Sequence, residues 1–271
     1  MCKDKRHARW LASAAILAGL SIALGGCKTT QSSNSSPDVT GSVSQQGADA
    51  SDNARISAEQ LGEKHRANPR DPELAIAYAR NLRASGQRQQ AAAVLEQASI
   101  VNPAHKPLLG AYGRALADVG NYKMAFDILA RAHTPDNPDW RILSVQGAVL
   151  DQMGQHEEAR RYYSSALKIV PGEASVLSNL GLSYALTKEL PQAETTLRQA
   201  MTRGTTDPRV RQNLALVVGL QGRFAEAETL ASADLPPDQA AANTAYLRQM
   251  ISEQNRMQAP GGPGAKPRHR T

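Results

Sequence analysis

Small and large apolar residues recur through the middle of this chain at a fixed interval of 34 residues, with polar positions between them. Gly86, Gly120, Gly154 and Gly222 fall in one register, and Lys188 fills the slot left between the last two. Five residues after each comes an alanine (Ala91, Ala125, Ala159, Ala193, Ala227), and four further on stand Leu95, Leu129, Tyr163, Leu197 and Ala231. Alanine returns three positions later at Ala98, Ala132, Ala166 and Ala200. Upstream of the glycine column, Ala79, Gly113, Gly147, Gly181 and Ala215 are each followed, three residues on, by Leu82, Leu116, Leu150, Tyr184 and Val218. Spacings of three and four put side chains on one face of a helix. Each unit therefore predicts two amphipathic helices, A and B, with the chain reversing at the glycine.

The chemistry of each column follows from its place. The glycine should end helix A in a left-handed conformation, which residues with a Cβ adopt at a cost. Lys188 in that slot should cost about 1 kcal/mol, unless "TKEL" closes its helix by another geometry. The small residue of helix A and the first alanine of helix B are expected to face each other where the helices cross, keeping the axes about 8–10 Å apart. Pro103 and Pro171 end the second helix of their units, and Asn137 and Thr205 hold that place in others. The units span 72–105, 106–139, 140–173, 174–207 and 208–236, an array over 72–236. The fifth departs from the pattern: Ala231 replaces its large residue, Asp234 its alanine, and "DLPPDQ" cuts the second helix short. Residues 237–258 read as a C-terminal capping helix with Tyr246, Leu247, Met250 and Ile251 toward the core. At the other end, 56–71 matches only the second half of a unit, with Pro69 in register with Pro103, and reads as an N-terminal capping helix. Solenoids need such atypical ends to cover their outermost apolar faces.

A 34-residue period with this order of small and large residues resembles the tetratricopeptide repeat (TPR), a helix–turn–helix unit. The resemblance implies an all-α fold: a right-handed TPR superhelix, or α-solenoid, of about five units with a capping helix at each end. It also implies that the A helices line a concave groove in which extended peptides or helices bind.

The two ends of the chain carry different information. Lys3, Lys5, Arg6 and Arg9 precede an uncharged apolar run from Trp10 to Leu24. That is the order of a secretory signal peptide, assigned here to residues 1–26. The run is short of the roughly 20 residues a spanning helix needs. Leu24-Gly25-Gly26-Cys27 resembles the lipobox of bacterial lipoproteins. That resemblance implies a diacylglycerol on the Cys27 thiol, cleavage before it and acylation of the new amine. Lys28 in place of an aspartate favours, by family analogy, transport to the outer membrane. The protein is thus expected to face the periplasm, moored to the membrane by its acyl chains at roughly 0.8 kcal/mol per buried methylene. Residues 27–55, rich in Ser, Gln, Asn, Thr and Gly, cannot bury enough apolar surface to offset their ordering entropy. They read as a disordered lipidated tether spanning on the order of 30 Å. Residues 259–271 read as a disordered basic tail.

Charge and rare residues narrow the function further. The chain carries a formal charge of +6. The leader and the tail (Lys266, Arg268, Arg270) supply the excess, so the body is nearly neutral and no nucleic-acid surface is expected. Cys2 lies in the leader, which leaves Cys27 alone in the mature chain and excludes an internal disulfide or a CxxC metal site. His65, His105, His133 and His156 share neither a column nor a ligand spacing and read as surface residues. Trp140, Tyr162 and Tyr163 read as packing, and "GQHEEARR" as a solvated helix face. No catalytic set, cofactor motif or metal framework is expected. Function then falls to the groove, where the repeat positions give Arg80, Arg83, Arg114, Arg141 and Arg209, among polar and small residues such as Ser144, Asp151, Ser178 and Gln212. Asn179 and Asn213 occupy one position in successive units, and an amide offers a bound backbone both a donor and an acceptor. Leu182 and Leu216 would floor the groove beside them.

The closing segment "VRQNLALVVGLQGRFAEAETLASADLPPDQAAANTAYLRQM" (Val210–Met250), after a lipobox and about five units, resembles the TadD-type TPR lipoproteins of tight adherence (Flp pilus) systems. The resemblance implies an outer-membrane lipoprotein needed to assemble an adhesive pilus, with a secretin or other assembly proteins as partners. It brings no catalytic residues, and Cys27 is the position it transfers. Two other readings stay open at the level of sequence: a pilotin-like or scaffold lipoprotein of another envelope machine, and a regulator of a cell-wall enzyme.

Overall fold

The computed structural model describes residues 59–202 and 207–258, and every regular element in them is an α-helix. Cys27 with its leader and tether, residues 56–58, Thr205 and the tail 259–271 lie outside the described residues. A helix over 59–67 (α1) comes first. Four pairs follow: α2 (Pro72–Ala84) with α3 (Arg88–Val101), α4 (Lys106–Asp118) with α5 (Tyr122–Arg131), α6 (Trp140–Gln152) with α7 (His156–Ile169), and α8 (Ala174–Leu186) with α9 (Leu190–Thr202). The last pair is α10 (Pro208–Leu220) with the eight-residue α11 (Phe224–Ala231), and α12 (Pro237–Gln258) closes the stack.

The A helices begin on a column that the sequence reading did not isolate. Asp71 accepts from the amides of Glu73 and Leu74, Asp139 from Arg141, Glu173 from Ser175 and Asp207 from Arg209. At the equivalent place His105 does the same with its ring, Nδ1 accepting from the amide of Leu108 at 3.2 Å. These residues lie 34 apart, and each satisfies an orphan donor of the first turn, a contribution typically of about 1 kcal/mol. Each A helix packs against its own B helix. The B helices α3, α5, α7 and α11 start without a side-chain cap, because the chain enters them straight from the reversal. There the amides of Gln87, Asn121, Gln155, Glu189 and Arg223 reach back to the carbonyls of Leu82, Leu116, Leu150, Tyr184 and Val218. This closes the same Schellman turn five times, so the large-residue column anchors the turn as well as the core.

At the centre of that turn the glycines have φ near +80°, and Lys188 adopts φ +65° in the same register. "TKEL" therefore uses the common geometry, with the Lys188 amide on the carbonyl of Ala185 at 3.0 Å, and a Cβ is carried in the left-handed region.

The small-residue column of helix A meets the large column of helix B, with the alanine column contributing only its backbone. This corrects the expected pairing of small residue with alanine. A Cβ on Gly113 would lie 2.5 Å from Leu129 Cγ but 3.3 Å from the carbonyl oxygen of Ala125. The alanines are fully buried because the backbones approach there.

Each B helix also packs on the next A helix, and successive A helices touch one another, from α2 against α4 through to α8 against α10. Close A helices put that face on the inner side of the curve. Among the B helices, the Phe126 and Tyr162 rings meet edge to face at 5.7 Å. Trp140 packs with Tyr162 beside the buried Tyr163. At the C-terminal end Leu247 of α12 fills the notch at Gly219, where a Cβ would stand 2.4 Å from its Cδ2. Ala240, Thr244 and Leu247 are buried there, whereas Tyr246 is 52 % exposed. The expectation that Tyr246 faces the core is thus corrected: the 3.6-residue period carries Leu247 inward and turns its neighbour out. Met250 and Ile251 are half-buried. At the other end the His65 ring lies 5.9 Å from that of Tyr78.

Charged side chains join the outer surfaces of the last two units. Glu194 accepts from Arg223 at 2.7 Å and pairs with Arg198, while both arginines also reach Glu226. The hydrogen bond from Arg223 is the largest of the effects that hold the Glu194 carboxyl at about 2.

Two outcomes follow for stability. Replacing Lys188 by glycine removes the Cβ from the left-handed region and should stabilise the fold by about 1 kcal/mol, read from the urea midpoint. For Glu194 the native value lies below the ordinary 4.5, so its contribution is complete above that pH and is lost as the pH falls toward 2. Glu194→Gln should lower the urea midpoint at neutral pH and flatten its decline between these limits; an unaltered acid profile would show the cluster to be inert.

Candidate partner-binding groove

Helices α2 and α4 and the start of α6 enclose a cavity of about 450 Å³ on the A-helix side. Arg80 and Arg83 reach it from α2 and Arg114 from α4, with Ile76 and Ile142 as apolar wall. At Gly110 a Cβ would come within 2.8 Å of Ile142 Cδ1, so the bare backbone lets the Ile142 wall lie close against α4. A second cavity of about 410 Å³ adjoins it, and Arg83 and Arg114 line both.

The arginines are not equivalent. Arg83 donates from Nε to Asp118 Oδ2. Arg141, on the first turn of α6, lies with its guanidinium carbon 4.3 Å from the Trp140 ring centroid. Among the described residues no carboxylate lies within ion-pairing distance of Arg80, Arg114 or Arg141. Burial holds the Arg114 guanidinium below its usual value, and Arg83 pushes the same way; Asp139 opposes this, and Arg141 and Arg80 add further repulsion. It stays a cation at neutral pH, so the protein keeps a partly dehydrated positive charge there without a direct counter-ion.

Four of the five expected groove arginines are thus neighbours. Arg209 is apart. It sits at the first turn of α10, 81 % exposed, with its guanidinium held by both carboxylate oxygens of Asp207. Asn179 and Asn213 have a different surrounding again. Asn179 Nδ2 donates to Ser144 Oγ at 3.1 Å, and Asn213 Nδ2 donates to Ser178 Oγ at 2.9 Å. Both serines are buried, so the asparagines stitch each A helix to the one before it. Their amide oxygens have no partner among the described residues. Leu182 and Leu216 are half-buried on the same two helices.

A polar knot at Asp151 was not legible beyond its groove position. Its side chain is buried and accepts from Ser183 Oγ at 2.8 Å, from the Tyr163 hydroxyl at 2.9 Å and from His156 Nδ1 at 2.9 Å. Burial first, then the carboxylate charge and its hydrogen bond, push the Tyr163 phenol far above its usual value, so it remains a donor. Ser183 donates straight to the carboxylate with no imidazole between them, which is the wrong order for activating a nucleophile. The knot ties the third unit to the fourth. The surface reading of the histidines is likewise corrected. All four are half-buried: His105 caps α4, His133 Nε2 lies 3.2 Å from Gln146 Oε1, His156 joins the knot and His65 stacks on Tyr78. His133 and His156 sit in joints that do not recur from unit to unit, so spacing gives no signal for them. His105, by contrast, belongs to the 34-residue cap column and is hidden there because its other members are acidic. Among the described residues no group of three His, Cys, Asp or Glu side chains is placed to hold a metal, and no helix is long and apolar enough to cross a membrane.

Residues 152–217 match the tetratricopeptide repeat family. No curated protein matches the chain in sequence. Among solved structures, PilW, described as a widely conserved type IV pilus biogenesis factor, is similar at a TM-score of 0.63 with 15 % identity, over 76 % of this chain and 100 % of that one. PilF of Pseudomonas aeruginosa is similar at 0.55 with 16 % identity, over 77 % and 93 %. A TPR protein of Thermus thermophilus is similar at 0.56 with 23 % identity, over 68 % and 98 %. At these identities the likeness is one of fold: the chain is built as a TPR solenoid.

The Asn–Ser stitches can be measured directly. Asn213→Ala should destabilise the protein by about 1 kcal/mol, and a double-mutant cycle with Ser178→Ala should recover a coupling of similar size. A coupling of zero in urea denaturation would mean that the two side chains do not hold the helices together.

Proposed function

We propose that this protein is a non-catalytic docking scaffold, moored by acyl chains on Cys27 to the periplasmic face of the outer membrane, that helps to assemble a tight adherence pilus. The observation that carries the docking role is the gathering of Arg80, Arg114 and Arg141 on the A-helix side without carboxylate partners. Charges kept in that state lower stability on their own and are useful when a partner supplies the counter-charge. A solenoid also offers a long surface relative to its mass, which suits a protein that holds others in place.

The mooring and the pilus assignment have other support. Leu24-Gly25-Gly26-Cys27 follows a basic and then apolar leader, and the segment Val210–Met250 resembles TadD-type lipoproteins. PilW is itself described as a pilus biogenesis factor, and its fold is similar to this one. On this reading the partner is a secretin or another assembly protein of the pilus machine.

Purification of the wild-type protein from detergent-solubilised envelopes, beside Cys27→Ser, tests the proposal. The wild type should fractionate with the outer membrane and carry a pilus-assembly protein with it. Cys27→Ser should appear in the soluble periplasmic fraction and lose that company. A wild-type protein that is soluble with its leader uncut, or one that co-purifies with a cell-wall enzyme in place of pilus components, would overturn the assignment.

A further inference from the structure

The two cavities that share Arg83 and Arg114 have a composition that selects among anions. Arg80, Arg114 and Arg141 present positive charge without a direct partner, and Lys106 lines the larger cavity with Arg80 and Arg114. Carboxylates stand among these cations: Glu73 and Asp139 in the larger cavity, and Asp118, bonded to Arg83, in the smaller. Apolar surface from Ile76, Pro107 and Ile142 lies between the charges. A dense polyanion, such as a nucleic acid, would meet those carboxylates at close range and be repelled. A peptide with separate acidic side chains can set each carboxylate against an arginine and lay its aliphatic atoms on the apolar wall. Arginine suits this role because its planar donors match a carboxylate in two parallel hydrogen bonds.

We infer that the groove between α2, α4 and α6 binds an extended acidic segment of a partner protein, whose Asp or Glu side chains pair with Arg114, Arg80 and Arg141. This rests on the docking-scaffold reading and gives it a site and a ligand chemistry. The C-terminal half of the same face, with its Asn–Ser stitches and the self-paired Arg209, has no comparable free charge among the described residues. The acidic segment therefore enters at the N-terminal half of the array. Because Arg114 is half-buried, its pairing is screened less by salt than that of the exposed Arg80.

Fluorescence anisotropy of a fluorescein-labelled peptide of four Glu-Ala repeats, whose acidic side chains are spaced apart, titrated with the full chain in detergent, tests the inference. Saturable binding is expected, weakened at least tenfold by Arg114→Gln and several-fold by Arg80→Gln. Arg161→Gln, an exposed arginine on α7, should leave it unchanged. Thermal melts followed by circular dichroism accompany each variant. Arg80 is exposed, so its variant keeps the test decisive even where Arg114→Gln fails to fold. Binding that is absent, that survives both groove substitutions, or that is lost equally with Arg161→Gln would overturn the inference. So would an octathymidylate bound as tightly as the peptide. A pilus-assembly protein that still co-purifies with Arg114→Gln and Arg80→Gln would sink the acidic site while leaving the scaffold reading intact.

Discussion

At Gly113, Gly147 and Gly181 a Cβ would come within 2.5–2.7 Å of Leu129, Tyr163 and Leu197 on the facing helix. That missing atom sets how closely each A helix lies on its B helix. A methyl group at any of the three would force the large residue out of a position where it is almost fully buried, and close-packed interiors have little slack to absorb such a shift. The constraint holds in the three central pairs, while Ala79 and Ala215 carry a methyl group at the same register in the first and last. The Schellman turn, closed five times on the Leu82–Val218 column, then fixes the direction in which the chain reverses. A regular stack follows from these two local rules without any long-range strand pairing.

The stack creates an inner face because the A helices touch one another. Two chemistries divide that face. Toward the N-terminus the arginines of α2 and α4 line open space, with Arg114 drawn partly out of water and Arg141 of α6 close enough to repel it. Toward the C-terminus serine and asparagine turn to one another and close the joints between α6, α8 and α10. The first arrangement leaves electrostatic potential unspent, and the second satisfies its own donors. A single solenoid thereby has a part with unpaired charge and a part whose polar groups hold its shape. The Asp151 knot stands at the boundary, where one buried carboxylate gathers donors from its own unit and from the next.

The outer surface is managed differently. Glu194, Glu226, Arg198 and Arg223 form a network at the join between the last full unit and the shortened one. The eight-residue α11 is shorter than every other B helix and offers less length for apolar contact. Ion pairs and the long α12, seated by Leu247 at Gly219, take over part of the task. Networks of this kind contribute more than isolated surface pairs because each charge has several partners in place.

The fold was legible in the sequence because its determinants are steric and local. A glycine at a left-handed turn, a small residue beneath a large one and an alanine where backbones approach each leave a mark at a fixed spacing. Those marks appeared at Gly86, Gly147 and Ala159 and their repeats. Even Lys188, which breaks the glycine column, keeps its geometry because the neighbouring units already dictate the turn. Repeat position also brought Arg80, Arg83, Arg114 and Arg141 onto one face. What it could not supply was the state of each side chain. That Arg209 is held by Asp207, that Asn213 is tied to Ser178, and that Asp151 gathers Ser183, Tyr163 and His156 depend on which groups meet once the helices are in place. Helical period assigns a residue to a face, but hydrogen bonds and burial belong to pairs of faces, and only the stacked structure brings those together.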